Sequence, residues 1–292
     1  PSLKLDLNEF VSGKKYDGLK KINIDNCLHD PSLMREKLYY DMANELGLKC
    51  SRTSFVKVTI DGVSYGNYVY IEQINKQFLN ENFGNKDGNL YKANGGANLY
   101  LYGNNTQNDY TGLYVLKTNE TANDWSDLLL LIDKANNRST ANFKDTISKY
   151  LNVDAVLNYM ALGTYTVYSD NVFNGGNNGY WYHNTANNKF EIIPWDIDLS
   201  FMNKTLQGYQ YTASNTELIN PIVNHSVFKK LLDVPEFKTS YLEKCCFIHN
   251  HLGHQDSLKQ KIDEYKTILQ NASITPDPNC DYTSFSSSDP YI

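Results

Sequence analysis

Long apolar runs, a basic bias, zinc-spaced cysteines and a phosphate-binding glycine loop are all missing from this chain. Its longest apolar run, Leu128 to Ile132, falls far short of the roughly 20 residues that cross a bilayer. It reads as helix core, and no membrane span is expected. The formal net charge is -6 and the pI is near 5.5. Nucleic acid phosphates call for a basic face, so nucleic acid is excluded as the main partner. The five cysteines, Cys27, Cys50, Cys245, Cys246 and Cys280, contain no CxxC pair, which argues against structural zinc. They leave room for one or two disulfides, with at least one thiol left over. Cys245-Cys246 falls on a predicted helix, one for the core and one free. Neither GxxxxGK[ST] nor GxGxxG occurs in the Gly/Asn-rich stretch 82–105, so its glycines form no phosphate loop.

Apolar residues make up 41% of the 292, ample for a core in one large domain or two lobes. The 23 tyrosines, set among many asparagines, suit a carbohydrate-type surface or a plain compositional bias. Asn-x-Ser/Thr sequons start at Asn104, Asn119, Asn137, Asn203, Asn224 and Asn271 and lean toward secretion. The sequence opens mid-pattern on Pro1-Ser2-Leu3-Lys4, so upstream residues, including any targeting segment, are expected to precede it.

The richest stretch runs from Tyr165 to Phe201. It holds Asp170-Asn171 in a polar loop and, further on, Pro194-Trp195-Asp196-Ile197-Asp198. Between them Tyr180 to Tyr182 and Phe190 to Ile193 read as the strands of a hairpin, with Asn184 to Asn188 as the turn. A hairpin brings its ends together, so Asp170 and Asp196 are expected at one mouth. Two carboxylates and an amide facing one cleft suit a hard divalent cation, which completes its shell with phosphates and water. Asp-Asn before a strand is also a common turn signal, and Asp198 serves equally as a second ligand or as a cap. His183 lies in the hairpin and reads as a surface residue rather than a base.

Along the chain, Leu3 to Leu7 alternates as a strand with Lys4 and Asp6 on one face. Tyr16 to Ile24 gives a second strand. Asp30-Pro31-Ser32 opens a helix over about 32–46, with Asp30 as N-cap and Pro31 at the first position. Glu36 sits in its first turns, where the helix dipole alone favours it, and Gly47 ends it. Arg52 to Ile60 and Tyr65 to Ile71 form a hairpin about Asp61-Gly62, leading to Glu72. A short helix follows at about 76–82, then the Gly/Asn-rich connector carrying Asn89-Leu90-Tyr91-Lys92. Helices are expected at Leu128 to Ala135, Ala141 to Tyr150 and Val153 to Thr164. A polar loop spans 202–221, and further helices run over about 226–272 with breaks at Pro235 and Gly253. The segment 276–292 reads as an irregular tail.

A strand lysine, a helix glutamate, a hairpin, a helix leading to Asp-Asn, a second hairpin and a final Asp follow the order of parts in a protein-kinase-like phosphotransferase. The usual HRD, DFG and glycine-loop signatures are absent. The ordered set is similar to the CotH family, the spore coat protein H-like atypical kinases. Its members' features are matched at Ser2 to Leu7, Gly18 to Asn23, Asp30 to Leu38 (with Met34-Arg35-Glu36-Lys37-Leu38) and Tyr65 to Tyr68 through Glu72-Gln73. Asn89 to Lys92, Asp170-Asn171 and Pro194 to Phe201 complete the set.

The resemblance implies an α+β, bilobal, atypical kinase-like fold. A β-rich N-terminal lobe would cover about 1–75, and a connector with a mainly helical C-terminal lobe about 76–275. It implies an ATP- and Mg²⁺- or Mn²⁺-dependent kinase acting on Ser/Thr of secreted, cell-surface or spore-surface proteins, taken here as a monomer. Carried over by motif, Asp170 is the catalytic acid and Asp196 a metal ligand. Asn171 or Asn178 would be the amide ligand, with Asn174 also in view, because the run from Val172 to Asn177 is longer than the family's. Lys4 with Glu36 would anchor the nucleotide phosphates, Lys92 competing for the lysine role. Glu72 would mark the adenine hinge. A non-catalytic binding module and a nucleotidyl transferase are the alternatives.

Overall fold

In the computed structural model, which describes residues 2–136, 140–168, 170–201, 204–206, 209–211 and 227–272, the alternating start forms β1 (Leu3–Asp6). It pairs with β2 (Lys21–Asp25), Lys4 opposite Asn23. The second strand is shorter than the expected Tyr16 to Ile24, because Tyr16 only closes a turn with Leu19. β3 (Thr53–Ile60) and β4 (Val63–Ile71) meet at Asp61 and Gly62. Both turn residues have positive φ, 51° and 82°, the hand that matches strand twist in a two-residue hairpin. The sheet is antiparallel, in the order β1-β2-β4-β3.

Helix α1 (Arg35–Glu45) begins later than expected. Asp30, Pro31 and Ser32 make a buried turn ahead of it, and Leu33 is left-handed at φ 62°. Asp30 still caps the helix from this upstream position: one carboxylate oxygen accepts the Arg35 N–H at 2.8 Å and the other the Ser32 hydroxyl at 2.5 Å. The far end closes as a Schellman motif. Gly47 N–H reaches Asn44 O at 2.9 Å and Leu48 N–H reaches Ala43 O at 3.0 Å, with Gly47 left-handed.

A second antiparallel sheet lies where a connector was expected. β5 (Leu90–Ala93), β6 (Tyr114–Leu116), β7 (Gly179–Asn184) and β8 (Lys189–Pro194) stand in the order β6-β5-β7-β8. The Tyr180 to Ile193 hairpin therefore does not stand alone. Helix α2 (Lys76–Phe83), capped by Asn75, packs its Phe78 and Leu79 on Leu90, Tyr180, Tyr182 and Ile193. Alternate residues, Tyr91, Trp181, Phe190 and Ile192, enter the main core beside α3 (Ser126–Asn136), α4 (Thr140–Tyr150) and α5 (Val153–Tyr165). Helices α6 (Val227–Asp233), α7 (Pro235–Phe247) and α8 (Gln255–Ala272) complete it, broken at Pro235 and Gly253 as expected. Within the expected polar loop lie two short paired strands, β9 (Lys204–Leu206) and β10 (Tyr209–Tyr211). The rest of that loop and the tail fall outside the described residues.

Many of the tyrosines serve this core. Tyr39, Tyr91, Tyr110, Tyr159, Tyr168, Tyr182 and Tyr241 are fully buried. Several use the hydroxyl to hold a loop: Tyr114 accepts Leu99 N–H at 3.0 Å, and Tyr182 donates to Asn85 O at 2.8 Å. A buried ring supplies large apolar area while its hydroxyl finds a partner. Cys27, Cys50 and Cys245 are buried free thiols and Cys246 is exposed and free; Cys280 lies outside the described residues. Among the described residues no helix is long and apolar enough to cross a membrane.

Candidate active site

The catalytic loop candidate leaves α5 and is shaped by its own asparagines. Asn171 is fully buried. Its Nδ2 donates to the Tyr168 carbonyl, and its Oδ1 accepts Phe173 N–H at 3.1 Å and Asn174 N–H at 3.0 Å. Its amide is thus spent on the turn. The long Asn/Gly-rich run has a packing reason. Gly175 and Gly176 dock on the loop 95–97, with Gly96 N–H to Gly175 O at 2.8 Å and Ala97 N–H to Gly176 O at 2.9 Å. A Cβ on Gly176 would sit 2.2 Å from Ala97 N. The run ends at Asn178, left-handed at φ 51°, which turns back to hold Asp170. Its Nδ2 donates to Asp170 Oδ2 at 2.9 Å and to Asp170 O at 3.0 Å. Asn177 reaches Asp170 Oδ1 at 3.4 Å.

At the other end of the hairpin, Gly179 faces Pro194 in register, so Asp196 returns to the same mouth. Buried Ile197 and Phe201 anchor this segment, and Tyr168 Oη donates to Asp196 O at 2.6 Å. Asp196 itself is left-handed at φ 54° and opens to solvent. Its carboxyl is held above the usual range by the surrounding protein, and by Asp25 and Asp170, against the pull of Lys92. Asp198 is pushed up to about 7 by burial and by Asp196, Asp25 and Asp170. Its carboxyl thus belongs to this acidic group.

A cavity of about 270 Å³ lies against Asp196, lined also by Ser2, Lys4, Asn23, Asp25, Glu36 and Trp195. Lys4 and Glu36 share this cavity but make no ion pair. Among the described residues Lys4 and Lys92 pair with no carboxylate within 4.0 Å. Partial burial, then Lys21, Lys117 and Lys92, hold the Lys4 amine below its usual value, with Asp6 opposing. Glu36 is 2% exposed. Burial first, then Asp25, Asp198 and Asp196, drive its carboxyl well above the usual range, with the Ile197 backbone opposing. Glu72 stands apart, buried and bound by Arg52 Nη2 at 2.5 Å and Nε at 3.0 Å. Its backbone is also engaged, with Arg52 O and the Ser51 hydroxyl.

Asp25 is the residue that motif reading passed over. It ends β2, where Lys21, Asn23 and Asp25 share one face. Three polar residues on alternate positions of a strand beside Lys4 were the available signal. His183 is no plain surface residue either. It stacks on Phe190 at 4.9 Å and bonds Asp127 at 3.0 Å, away from the cavity.

Asp25, Glu36, Asp170, Asp196 and Asp198 thus form one electrostatically linked acidic group, of which Asp25, Glu36 and Asp196 line the cavity together with Lys4, while Lys92 acts on Asp196. The protein is an α+β chain with a polar cavity lined by acids and a lysine. Residues 1–290 match the family described as CotH kinase protein. The chain belongs to that family, as its motifs implied.

Among its relatives it is similar to inner spore coat protein H of Bacillus subtilis, 26% identical over 234 residues, covering 80% of this chain and 63% of that protein. It is also similar to invasin CotH2 of Rhizopus delemar, 25% identical over 185 residues, 59% of this chain and 30% of that one. For invasin CotH3 of the same organism the values are 25% over 209 residues, 68% and 34%. The chain thus spans less than two thirds of the Bacillus protein and about a third of each invasin.

Proposed function

We propose that the chain is an atypical protein Ser/Thr kinase with a bilobal kinase-like fold, moving the γ-phosphoryl group of ATP to secreted or surface proteins. The observation that carries this is Asp170, held by Asn178 at 2.9 Å at the same hairpin mouth as Asp196. The first sheet with α1 corresponds to the smaller lobe, and the second sheet with the remaining helices to the larger. The names of the spore coat and invasin relatives support a surface location.

The donor set fits a metal–nucleotide complex. Clustered carboxylates that raise one another are relieved by a hard divalent cation, and two lysines that pair with no carboxylate among the described residues suit phosphate oxygens. Asp196 would hold Mg²⁺ or Mn²⁺, with Asp198 and the Oδ1 of Asn178 beside it. Asn171 is engaged in its turn and takes no part. Bound there, the ion neutralises charge on the phosphates. Lys92, beside Asp196, and Lys4, in the cavity wall, grip the phosphate chain. Asp170 orients the acceptor hydroxyl and takes its proton, while Asn178 fixes the carboxylate. Glu72 supports the strand after which adenine would lie and does not touch the nucleotide.

Two variants separate these roles. Asp196→Ala should lose metal-dependent ATP binding in calorimetry. Asp170→Asn should keep it yet lose transfer by about a thousandfold, the scale of a positioning and proton-accepting group. Full transfer by Asp170→Asn would remove that residue from the chemistry.

A further inference from the structure

The Lys–Glu pair expected of this site does not form, and the reason lies around Glu36. One carboxylate oxygen, Oε2, is buried without a hydrogen-bond partner. The neighbouring guanidinium, Arg35, turns away to His29 O at 3.2 Å and to Asp30 at 3.7 Å. Lys4 shares the cavity but pairs with no acid. What Glu36 meets instead is Asp25: ligand atoms of Asp25, Cys27 and Glu36 lie within 4.8 Å of one another, a grouping found nowhere else among the described residues. Asp25 is fixed from behind, Oδ1 accepting Cys27 N–H at 2.5 Å and Oδ2 the Ser2 hydroxyl at 3.0 Å. A buried carboxyl with an oxygen left unpartnered is costly, and ionises there only if paired or coordinated.

We infer that Asp25 and Glu36 form a second divalent-cation subsite, separate from the ion assigned to Asp196, on the cavity wall between β2 and α1. Both ligands offer hard oxygen, and the cavity leaves room for water or phosphate oxygens to complete the shell, which selects Mg²⁺ or Mn²⁺. The Cys27 thiol stands beside the ion without ligating it, because a hard cation has no preference for sulfur. α1 would then be locked to the first sheet by one ion, doing the work that an ion pair does in other kinases. The subsite needs no nucleotide, so it is tested apart from phosphoryl transfer.

The test counts Mn²⁺ bound by the whole chain without nucleotide, by electron paramagnetic resonance of the free ion. Glu36→Gln is near-isosteric, and Asp25→Asn carries the test if Glu36→Gln does not fold. The expected result is that each of them weakens one Mn²⁺ by at least about tenfold, the scale on which losing support for a metal is felt. Asp196→Asn should remove a different ion, and Cys27→Ser should change nothing. Unchanged Mn²⁺ binding in both Glu36→Gln and Asp25→Asn would overturn the subsite while leaving the kinase reading standing. Loss of Mn²⁺ in Cys27→Ser but not Asp25→Asn would also overturn it. An intact count in a protein that never transfers phosphate would sink the kinase reading instead.

Discussion

Asn178 links backbone geometry to catalysis, and two substitutions there separate the two. Its left-handed φ of 51° is open to glycine and asparagine but costs alanine about 1–2 kcal/mol. Its amide makes two hydrogen bonds to Asp170, one of them to the carboxylate, and hydrogen bonds to charged groups contribute about 1.5–3 kcal/mol. Asn178→Gly keeps the backbone and drops the bonds. It should lose about 1.5–3 kcal/mol, roughly 3–6 °C in Tm for a chain of this size. Asn178→Ala should lose about 1 kcal/mol more than the glycine variant. Both should cut kcat about a hundredfold, the scale of a small misplacement of a catalytic group, with the KM for ATP little changed. Thermal unfolding and steady-state transfer measure the two effects. Wild-type kcat in Asn178→Gly would refute the role of Asn178 in placing Asp170, whatever its Tm.

The pair His183–Asp127 should give a pH signature of stability. Burial works against the charged imidazole, but hydrogen bonding and charge from Asp127 outweigh it and raise the His183 pKa. Burial likewise opposes Asp127, whose pKa is nonetheless lowered by His183, Tyr91 and Asn89. Stability from His183 is full below its unfolded pKa of about 6.5 and lost as pH rises through the folded value; that from Asp127 is full above about 3.9 and lost as pH falls below it. Denaturant unfolding across this range should show wild type weakening above about pH 6.5 by about 1 kcal/mol, and His183→Gln should lose that slope. At Glu72, 3% exposed and paired to a largely exposed Arg52, Arg52→Met should destabilise by about 2 kcal/mol by stranding a buried carboxylate. Glu72→Gln should leave the ATP affinity in calorimetry unchanged, and a tenfold loss would return Glu72 to the nucleotide site.

Local signals carried much of this architecture. Asp61-Gly62, Gly47 and the Tyr180 to Ile193 hairpin act through short-range geometry, so their residues state the structure directly. β5 and β6 escaped because Leu90 to Ala93 is buried on both faces and shows no alternation, while β6 has only three residues; each exists through pairing across long sequence separations. Asp170 and Asp196 were legible because one hairpin fixes their proximity. Asp25 was not, since it reaches them only through the folding of the first sheet over α1. Asn171 reads as a ligand by adjacency, yet an asparagine followed by two free backbone N–H groups also satisfies its own turn, and its amide makes those turn bonds here.

The central claim is best tested with ATP labelled at the γ-phosphate and, in parallel, at the α-phosphate. The chain would be incubated with Mg²⁺ or Mn²⁺ and a Ser-rich acceptor protein. A kinase with Asp170 and Asp196 in the assigned roles transfers γ-label alone, and Asp196→Ala transfers none. Label arriving from the α-phosphate, or γ-label undiminished in Asp196→Ala, would contradict it.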